Sequence, residues 1–130
     1  MSLSKGCVQI YTGNGKGKTT SSFGLALRAL GWDYKVAIIH FMKFDLEKGE
    51  RKLIKLFPNL FIESVGTGKF VDKKKPDAAD IEGAKAGLKL AYKLIENDNF
   101  DIMILDEINT AIDFGLLDIA DVIKFIKTKP

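Results

Sequence analysis

Glycine and lysine alternate in a short stretch of the chain, residues 13 to 19, GNGKGKT, which follows an apolar run. A glycine-rich turn between a strand and a helix exposes successive backbone N–H groups and the positive end of the helix dipole, and both attract phosphate oxygens. Lys18 would reach over the phosphates, and the hydroxyl of Thr19 would bind magnesium. The usual phosphate loop has a glycine five positions before its Gly-Lys-Thr triplet, where this chain has Thr12. The stretch predicts a phosphate-binding loop with one irregular position.

Two adjacent carboxylates, Asp106 and Glu107, follow the apolar run 102–105. In a doubly wound sheet the carboxyl ends of the strands line the ligand crevice, so these side chains would face the phosphate loop. One carboxylate could bind magnesium, directly or through water, while the other could position water, a ribose hydroxyl or a reacting group. Two simpler interpretations stay open, namely a solvated glycine-rich connector and a strand that ends in solvated acids.

The elements that would position these residues alternate along the chain. Apolar, β-branched runs predict strands over 7–12, 35–42 and 100–107, and a weaker one over 59–65. The first of these is expected to be buried. Amphipathic stretches between the runs predict helices, and this alternation indicates a mainly parallel sheet with helices on both faces.

Three helices are predicted from apolar residues at helical spacing. The first begins at Lys18 and ends at Gly31 in a left-handed cap; the second spans 77–97 after Pro76; the third has Asp118 as its N-cap. The expected core faces are Phe23, Ala26, Leu27 and Leu30 in the first, Ile81, Ala84, Leu88, Ala91 and Ile95 in the second, and Ile119, Val122, Ile123 and Ile126 in the third.

Composition excludes several classes of protein. A chain of 130 residues with 46% hydrophobic and 28% charged residues is expected to fold with its own core, so disorder is excluded. The net charge of +3, from 20 basic and 17 acidic residues, is too small to indicate nucleic acid binding. The single cysteine cannot form an internal disulfide, and no apolar run approaches the ~18 residues of a membrane span. The expected location is the cytoplasm.

Four stretches together resemble the P-loop type of ATP:corrinoid (cobalamin) adenosyltransferase. They are YTGNGKGKTTSSFGLALRALG at 11–31, GER at 49–51, GTG at 66–68 and DIMILDEINTAIDFGLLDIADVIKFIKTKP at 101–130. The loop of that family also lacks the first glycine, which accounts for Thr12. The resemblance, which covers about Val8 to Pro130, implies a P-loop NTPase with a recombinase-like sheet. It also implies transfer of the adenosyl group of ATP to Co(I) of a corrinoid, with release of inorganic triphosphate.

The resemblance and the loop chemistry together indicate the residues of the site. Lys18, Asp106 and Glu107 are expected to be catalytic, and Thr19 and Asp106 to bind Mg²⁺ or Mn²⁺. The residues expected to bind ATP or the corrinoid are Thr12, Gly13, Asn14, Gly15, Lys16, Gly17, Lys18, Thr19, Thr20, Arg28, Asn109 and Phe70. The additional Lys16 would help to neutralise the triphosphate leaving group. The family also implies a homodimer and a flavoprotein reductase that supplies Co(I).

The chain departs from the family pattern at several positions. After GTG the family commonly has an aromatic residue, threonine and tryptophan, where this chain has residues 69–71, KFV, so Phe70 is the candidate for the aromatic contact with the corrin. His40 and Phe44 stand where glutamine and glycine are common, whereas Lys43 matches. A lone histidine at the end of a buried strand is more often a hydrogen-bonded core residue than a metal ligand, so His40 is not assigned to a metal.

The family pattern also extends beyond both ends of this sequence. Members commonly have a segment before the first strand that covers a partner's site, and a further strand after the position of Pro130. We therefore expect a single P-loop nucleotide-binding domain over 4–130 that lacks the C-terminal strand of the family.

Two other functions stay open. A P-loop ATPase or nucleotide kinase could use Glu107 to activate water or an acceptor hydroxyl, although a kinase lid rich in arginine would be needed and only Arg28 and Arg51 are present. An ATP-dependent nucleic-acid-binding module could use the lysine run 73–75. That run could also attract a corrinoid carboxylate, but a solvated loop is favoured and nucleic acid is not the expected partner.

Overall fold

Three parallel strands form a sheet in the computed structural model, which describes residues 4–44, 49–97 and 100–130. Helices precede, connect and follow the strands. In chain order the elements are α1 (Lys18–Gly31), β1 (Val36–His40), α2 (Gly49–Lys52), a 3-10 turn (Leu53–Lys55), β2 (Leu60–Ser64), α3 (Ala78–Asn97), β3 (Ile102–Asp106), α4 (Ile108–Asp113) and α5 (Ile119–Lys127).

The strand register places one residue from each strand at the same edge of the sheet. The strand order is β2-β1-β3, with β1 in the centre. His40, the last residue of β1, is level with Ser64 of β2 on one side and with Asp106 of β3 on the other. Because side chains alternate along a strand, these three level residues project from the same face. The carboxyl edge of the sheet therefore carries a row of polar side chains.

Apolar side chains cover both faces of the sheet. On one face, Ala26, Ala29 and Leu30 of α1 pack with Val36 and Ile38 of β1. On the other face, the helices α3, α4 and α5 pack against the alternate strand residues, and Phe41 is fully buried there. Burial of each large apolar side chain stabilises the fold by about 1.5–3 kcal/mol. The predicted α/β class, with a parallel sheet between helices, is confirmed.

The predicted first strand is wrong. Residues 6–12 form no regular secondary structure, and Val8, Ile10 and Tyr11 are 49%, 70% and 40% exposed. Their β-branched and aromatic side chains favour extended backbone, but a strand also needs a neighbouring edge whose N–H and C=O groups it can pair with. Among the described residues, no strand pairs with this segment.

The first helix differs from its prediction at its end and on its face. Gly31 is still helical, Trp32 is the C-cap, and Asp33 has the left-handed backbone with φ 61°. The buried positions are Ala26, Ala29 and Leu30, whereas Leu27 is 53% exposed. The buried stripe is therefore shifted from the predicted one. Several neighbouring positions of this helix are apolar, and only those that face the sheet are buried.

The last helix is capped as predicted but oriented differently. Asp118 is the N-cap, and its Oδ1 accepts a hydrogen bond of 3.1 Å from the backbone N–H of Ala120. Val122 and Phe125 are buried, while Ile119 and Ile123, both expected in the core, are 56% and 44% exposed. The ring of Phe125 packs edge-on against Tyr92 of α3, with ring centroids 4.9 Å apart. Burial of this large aromatic ring turns the two isoleucines outward.

None of the helices in the described part of the chain combines the length and the apolar character that a membrane-spanning helix requires.

Candidate functional site

The glycine-rich loop enters α1 through a residue with left-handed backbone. Gly17 is the N-cap of α1 and has φ 102°. A Cβ atom at this position would meet nothing within 4 Å, so the backbone conformation, and not lack of space, requires glycine. The loop residues 12–17 are exposed, and their backbone lies at the amino end of a 14-residue helix. This arrangement suits an anion such as phosphate.

Lys18 folds back over this loop. Its Nζ donates hydrogen bonds to the carbonyl oxygens of Gly13 and Gly15, at 2.7 Å and 2.6 Å. The ammonium group therefore lies on the concave side of the loop and binds the loop backbone at two points. A positive charge at this position can bridge phosphate oxygens that approach the same turn.

The carboxylate of Asp106 joins the loop to the sheet. Its Oδ1 accepts a hydrogen bond of 2.8 Å from the hydroxyl of Thr19, in the first turn of α1. Its Oδ2 lies 2.7 Å from His40 Nδ1 and accepts a hydrogen bond of 2.9 Å from Lys43 Nζ. Polar side chains from three different segments thus surround a side chain that is only 8% exposed.

These contacts decide the ionisation of Asp106. Burial works to raise the pKa of the carboxyl, because the charged form loses hydration. The hydrogen bonds from His40, Lys43 and Thr19, and then the positive charge of Lys43, outweigh burial and hold the pKa of Asp106 well below its usual range. Asp106 is therefore an ionised carboxylate at neutral pH.

Lys43 and Glu107 complete the polar cluster. Lys43 Nζ lies 3.4 Å from Thr19 Oγ1 and 4.0 Å from Glu107 Oε1, in addition to its bond with Asp106. Glu107 has left-handed backbone, with φ 65°, and is the N-cap of α4. A non-glycine residue in this conformation stores strain, which is often found at functional sites. The strained turn directs the second carboxylate toward the same cluster as the first.

The loop that contains GTG, residues 66–68, contacts the backbone of Lys43. The backbone N–H of Gly66 donates a hydrogen bond of 2.8 Å to the carbonyl oxygen of Lys43. A Cβ atom on Gly66 would lie 2.7 Å from that same carbonyl oxygen and 2.6 Å from the carbonyl carbon of Met42. Position 66 therefore requires a residue without a side chain, because the segment after β2 passes directly against the segment after β1.

His40 belongs to the polar cluster, although the sequence alone does not place it there. It is 4% exposed, and its ring stacks on Phe23 of α1 with centroids 5.6 Å apart and an angle of 18° between the rings. A buried, hydrogen-bonded histidine was the favoured interpretation. Its partner could have been identified only from the strand order, which places β1 beside β3.

Other expected site residues lie apart from this cluster. Arg28 is exposed ten residues along α1 from Lys18, which at the helical rise is about 15 Å along the axis. Asn109 is exposed in the first turn of α4, and Thr20 is exposed in the first turn of α1. Phe70 is wholly exposed on the loop between β2 and α3. The structure thus joins Thr19 with Asp106 and Glu107, and leaves these four residues outside the hydrogen-bonded cluster.

The oxygen atoms of Thr19 and Asp106 have the chemistry of a hard-cation site. Magnesium prefers oxygen ligands at about 2.0–2.1 Å in octahedral geometry, so adjacent ligands lie roughly 3 Å apart. Thr19 Oγ1 and Asp106 Oδ1 are 2.8 Å apart. Among the described residues no group of three or more His, Cys, Asp or Glu side chains could hold a metal. Magnesium commonly completes its coordination with water and with phosphate oxygens of a nucleotide.

Comparison with known proteins gives the family. The family model for ATP:corrinoid adenosyltransferase BtuR/CobO/CobP matches residues 4–130. The chain belongs to this family. The corrinoid adenosyltransferase of Pseudomonas aeruginosa is 32% identical over 126 residues, which are 97% of this chain and 62% of that protein.

Two further adenosyltransferase relatives show the same extent of similarity. A corrinoid adenosyltransferase from Sinorhizobium is 34% identical over 125 residues, covering 95% of this chain and 58% of its own length. The corrinoid adenosyltransferase CobA of Salmonella typhimurium is 30% identical over 126 residues, covering 97% and 63%. The chain thus spans about three fifths of the length of these curated relatives.

Proposed function

We propose that this chain transfers the 5′-deoxyadenosyl group of ATP to Co(I) of a corrinoid and releases inorganic triphosphate. The observation that carries the proposal is the hydrogen bond between Thr19 and Asp106, which joins the phosphate loop to the strand-end carboxylates. Membership of the family supports a corrinoid as the acceptor of the adenosyl group, because the relatives of this chain are corrinoid adenosyltransferases. An ATPase or kinase could share the loop, but neither is supported by the family.

During the reaction, negative charge develops on the triphosphate leaving group. Co(I) attacks the 5′ carbon with its electron pair, a Co–C bond forms, the C5′–O bond breaks, and triphosphate leaves with that bond's electrons. The exposed Lys16 and the loop-bound Lys18 supply two positive charges along the leaving group. Placed charges of this kind are worth several kcal/mol in enzymes generally, because they need not reorganise during the reaction.

Magnesium, or manganese in its place, would be held by Thr19 and Asp106 together with phosphate oxygens. When bound, the ion would neutralise phosphate charge. The hydroxyl and the ionised carboxylate fit a hard cation, both in ligand type and in their 2.8 Å separation. Lys43, which contacts both side chains, would then turn from Asp106 to a phosphate oxygen. Glu107, on its strained turn, would orient the ribose or the reacting group.

The corrin would lie against aromatic side chains at the carboxyl edge of the sheet. Phe44 follows β1 and is 52% exposed, while Phe70 follows β2 and is wholly exposed. The two loops touch, since a Cβ atom on Gly68 would lie 3.3 Å from Phe44 Cβ. Phe70 is the candidate that the family resemblance indicates, and Phe44 is a second candidate nearer to Lys43. We further propose a homodimer and a flavoprotein reductase that supplies Co(I), both on the basis of that resemblance.

Analysis of the phosphate product tests the proposal. The protein is incubated with Mg²⁺ and ATP, with and without a chemically reduced corrinoid, and the products are followed by phosphorus NMR and by the absorbance of the Co–C bond. The proposal expects triphosphate in equal amount to alkylated cobalt, and no ADP above background when the corrinoid is omitted. Steady formation of ADP and phosphate without corrinoid would instead establish an ATPase. ATP-dependent retention of single-stranded nucleic acid, without triphosphate, would establish a binding module.

A further inference from the structure

We propose that His40 is a positioning residue, which holds Oδ2 of Asp106 so that Oδ1 is the oxygen presented beside Thr19 to the cation of the bound nucleotide. This inference rests on the proposed function, because it takes Thr19 and Asp106 as the cation ligands. It gives His40, which is not among the expected site residues, a role in cation binding.

The two oxygens of Asp106 have different partners. Oδ2 is contacted by His40 Nδ1 at 2.7 Å and by Lys43 Nζ at 2.9 Å, whereas Oδ1 accepts only the 2.8 Å bond from Thr19 among the described contacts. A carboxylate can otherwise rotate about its Cβ–Cγ bond, which exchanges the two oxygens. The donors on Oδ2 remove that freedom. A cation that binds beside the Thr19 hydroxyl therefore meets one defined oxygen of Asp106.

His40 is the rigid donor of the two. It is paired in register with Asp106 in the centre of the sheet, it is 4% exposed, and its ring is stacked on Phe23. The side chain of Lys43 is 26% exposed and has four rotatable bonds, and it also contacts Thr19 and Glu107. Lys43 can therefore leave the carboxylate for a phosphate while His40 stays in place. His40 therefore holds the carboxylate of Asp106 in position while the nucleotide binds.

The direction of the hydrogen bond follows from the ion pair on the same oxygen, since the ammonium of Lys43 lies 2.9 Å from Oδ2 and pairs with a carboxylate. An ionised carboxylate only accepts hydrogen bonds, so Nδ1 of His40 must carry the hydrogen. Hydrogen-bonding partners of a metal-binding carboxylate orient it, and their removal commonly lowers metal affinity by about 10–100-fold. A different side chain with a hydrogen-bond donor at the position of Nδ1 should keep the Mg²⁺ affinity close to that of the wild type. Asparagine provides one, because its amide nitrogen occupies the position of the imidazole Nδ1.

Ser64 offers a matched control in the same row. It is level with His40 on the side away from Asp106, and its Oγ is buried without a hydrogen-bond partner among the described residues. Its removal changes a buried polar group at the same sheet edge but leaves the contacts of Asp106 intact. A merely local packing disturbance would affect the His40 and Ser64 variants alike.

The experiment measures the Mg²⁺ concentration at which ATP binding is half-maximal, by calorimetry or by a fluorescent ATP analogue. His40→Leu is expected to raise this concentration about 10–100-fold, while His40→Asn and Ser64→Ala remain close to wild type. Equal Mg²⁺ dependence in His40→Leu and wild type would overturn the inference, and so would an asparagine variant as impaired as the leucine variant. Wild-type ATP binding that ignores Mg²⁺ would instead overturn the cation site of the proposed function.

A second measurement needs no variant. Nitrogen NMR of the wild-type imidazole reports which ring nitrogen carries the hydrogen, and the inference expects Nδ1, both before and after addition of Mg²⁺ and ATP. A hydrogen on Nε2 with a bare Nδ1 would overturn it, even if His40→Leu did not fold. Thermal unfolding of each variant accompanies the titrations, so that a loss of fold is not counted as a loss of affinity.

Discussion

Replacement of Asp106 by asparagine is the sharpest test of the polar cluster. The carboxylate accepts from Thr19, His40 and Lys43, and all three partners are donors. An uncharged amide of the same size has one accepting oxygen, and its NH₂ group takes the place of the other carboxylate oxygen. If the NH₂ group faces Oδ2's partners, it meets the ammonium of Lys43; if it faces Thr19, the hydroxyl must turn to accept. In either orientation the positive charge of Lys43 loses its charged partner.

The size of the effect follows from the burial of the group. Hydrogen bonds to a charged group contribute about 1.5–3 kcal/mol each, and removal of one partner of a buried ion pair costs about 3–5 kcal/mol. Because Lys43 can turn toward Glu107, 4.0 Å away, we expect the lower part of this range, a loss of about 2–4 kcal/mol in the free energy of unfolding. For a chain of this size that corresponds to a fall in Tm of roughly 6–14 °C.

Urea unfolding at pH 7, in the presence of a chelator, measures this loss. The control is Asp113→Asn, the same chemical change in a carboxylate that also has a 2.7 Å contact, to Lys73. The side chains of that pair are 55% and 65% exposed, so the pair should contribute only about 0–1 kcal/mol. An Asp106→Asn protein that loses no more stability than Asp113→Asn would refute the network of three donors.

The pH dependence of the Asp106→Asn effect has a defined sign. The pKa of Asp106 is lowered in the folded protein, so its ionised form contributes stability above the unfolded-state pKa of about 3.9, and that stability is lost as the pH falls through the folded-state pKa. The charged or titratable groups that face it are His40, Lys43 and Glu107. The stability difference from wild type should therefore persist from pH 7 to pH 5 and shrink below about pH 4. A difference that vanished by pH 5 would contradict a lowered pKa.

Further variants test other parts of the site. Lys18→Ala should abolish ATP binding in calorimetry with little change in Tm, since its ammonium contacts only the exposed loop in the described contacts; unchanged affinity would refute the loop assignment. Gly66→Ala should lower the free energy of unfolding by about 1–3 kcal/mol, because its Cβ would overlap the backbone of Lys43; wild-type stability would show that the two loops do not touch. Phe70→Ala should slow reaction with a complete corrinoid more than with a precursor that lacks the lower axial ligand of cobalt, because only the complete corrinoid needs an aromatic ring to displace that ligand. Comparison with Phe44→Ala shows which ring contacts the corrin. Equal losses with both corrinoids in both variants would exclude displacement of the lower ligand by either ring.

Much of the fold was predictable because its elements carry their own signals. The strands β1, β2 and β3 are short apolar runs, and α3 and the Asp118 cap follow directly from spacing and capping chemistry. The strand expected over 7–12 failed because strand propensity is local, whereas pairing needs a neighbouring edge. The orientation of α5 failed for a related reason: which of several apolar positions is buried depends on the partner surface, here the ring of Tyr92.

The candidate site, like the fold, was predictable only in part. The contact between Thr19 and the strand-end carboxylate follows a general property of parallel sheets, since their carboxyl ends share one crevice with the first helix. The contacts of His40 and Lys43 with Asp106 depend on strand order, and nothing in a single sequence states that β1 lies next to β3. The strained backbone of Glu107 also leaves no trace in its residue type, because glutamate is not a residue that usually adopts left-handed backbone.

The two hydrogen bonds of Lys18 within its own loop affect the entropy of nucleotide binding. They tie the ammonium group to the carbonyls of Gly13 and Gly15 and so limit the backbone freedom of a segment that contains three glycines. Ordering a residue's backbone costs about 1–2 kcal/mol, and glycine loses more freedom than any other residue. The protein therefore orders this loop as part of its own folding reaction. Phosphate binds to a turn that already has its shape, and less conformational entropy is lost at that moment.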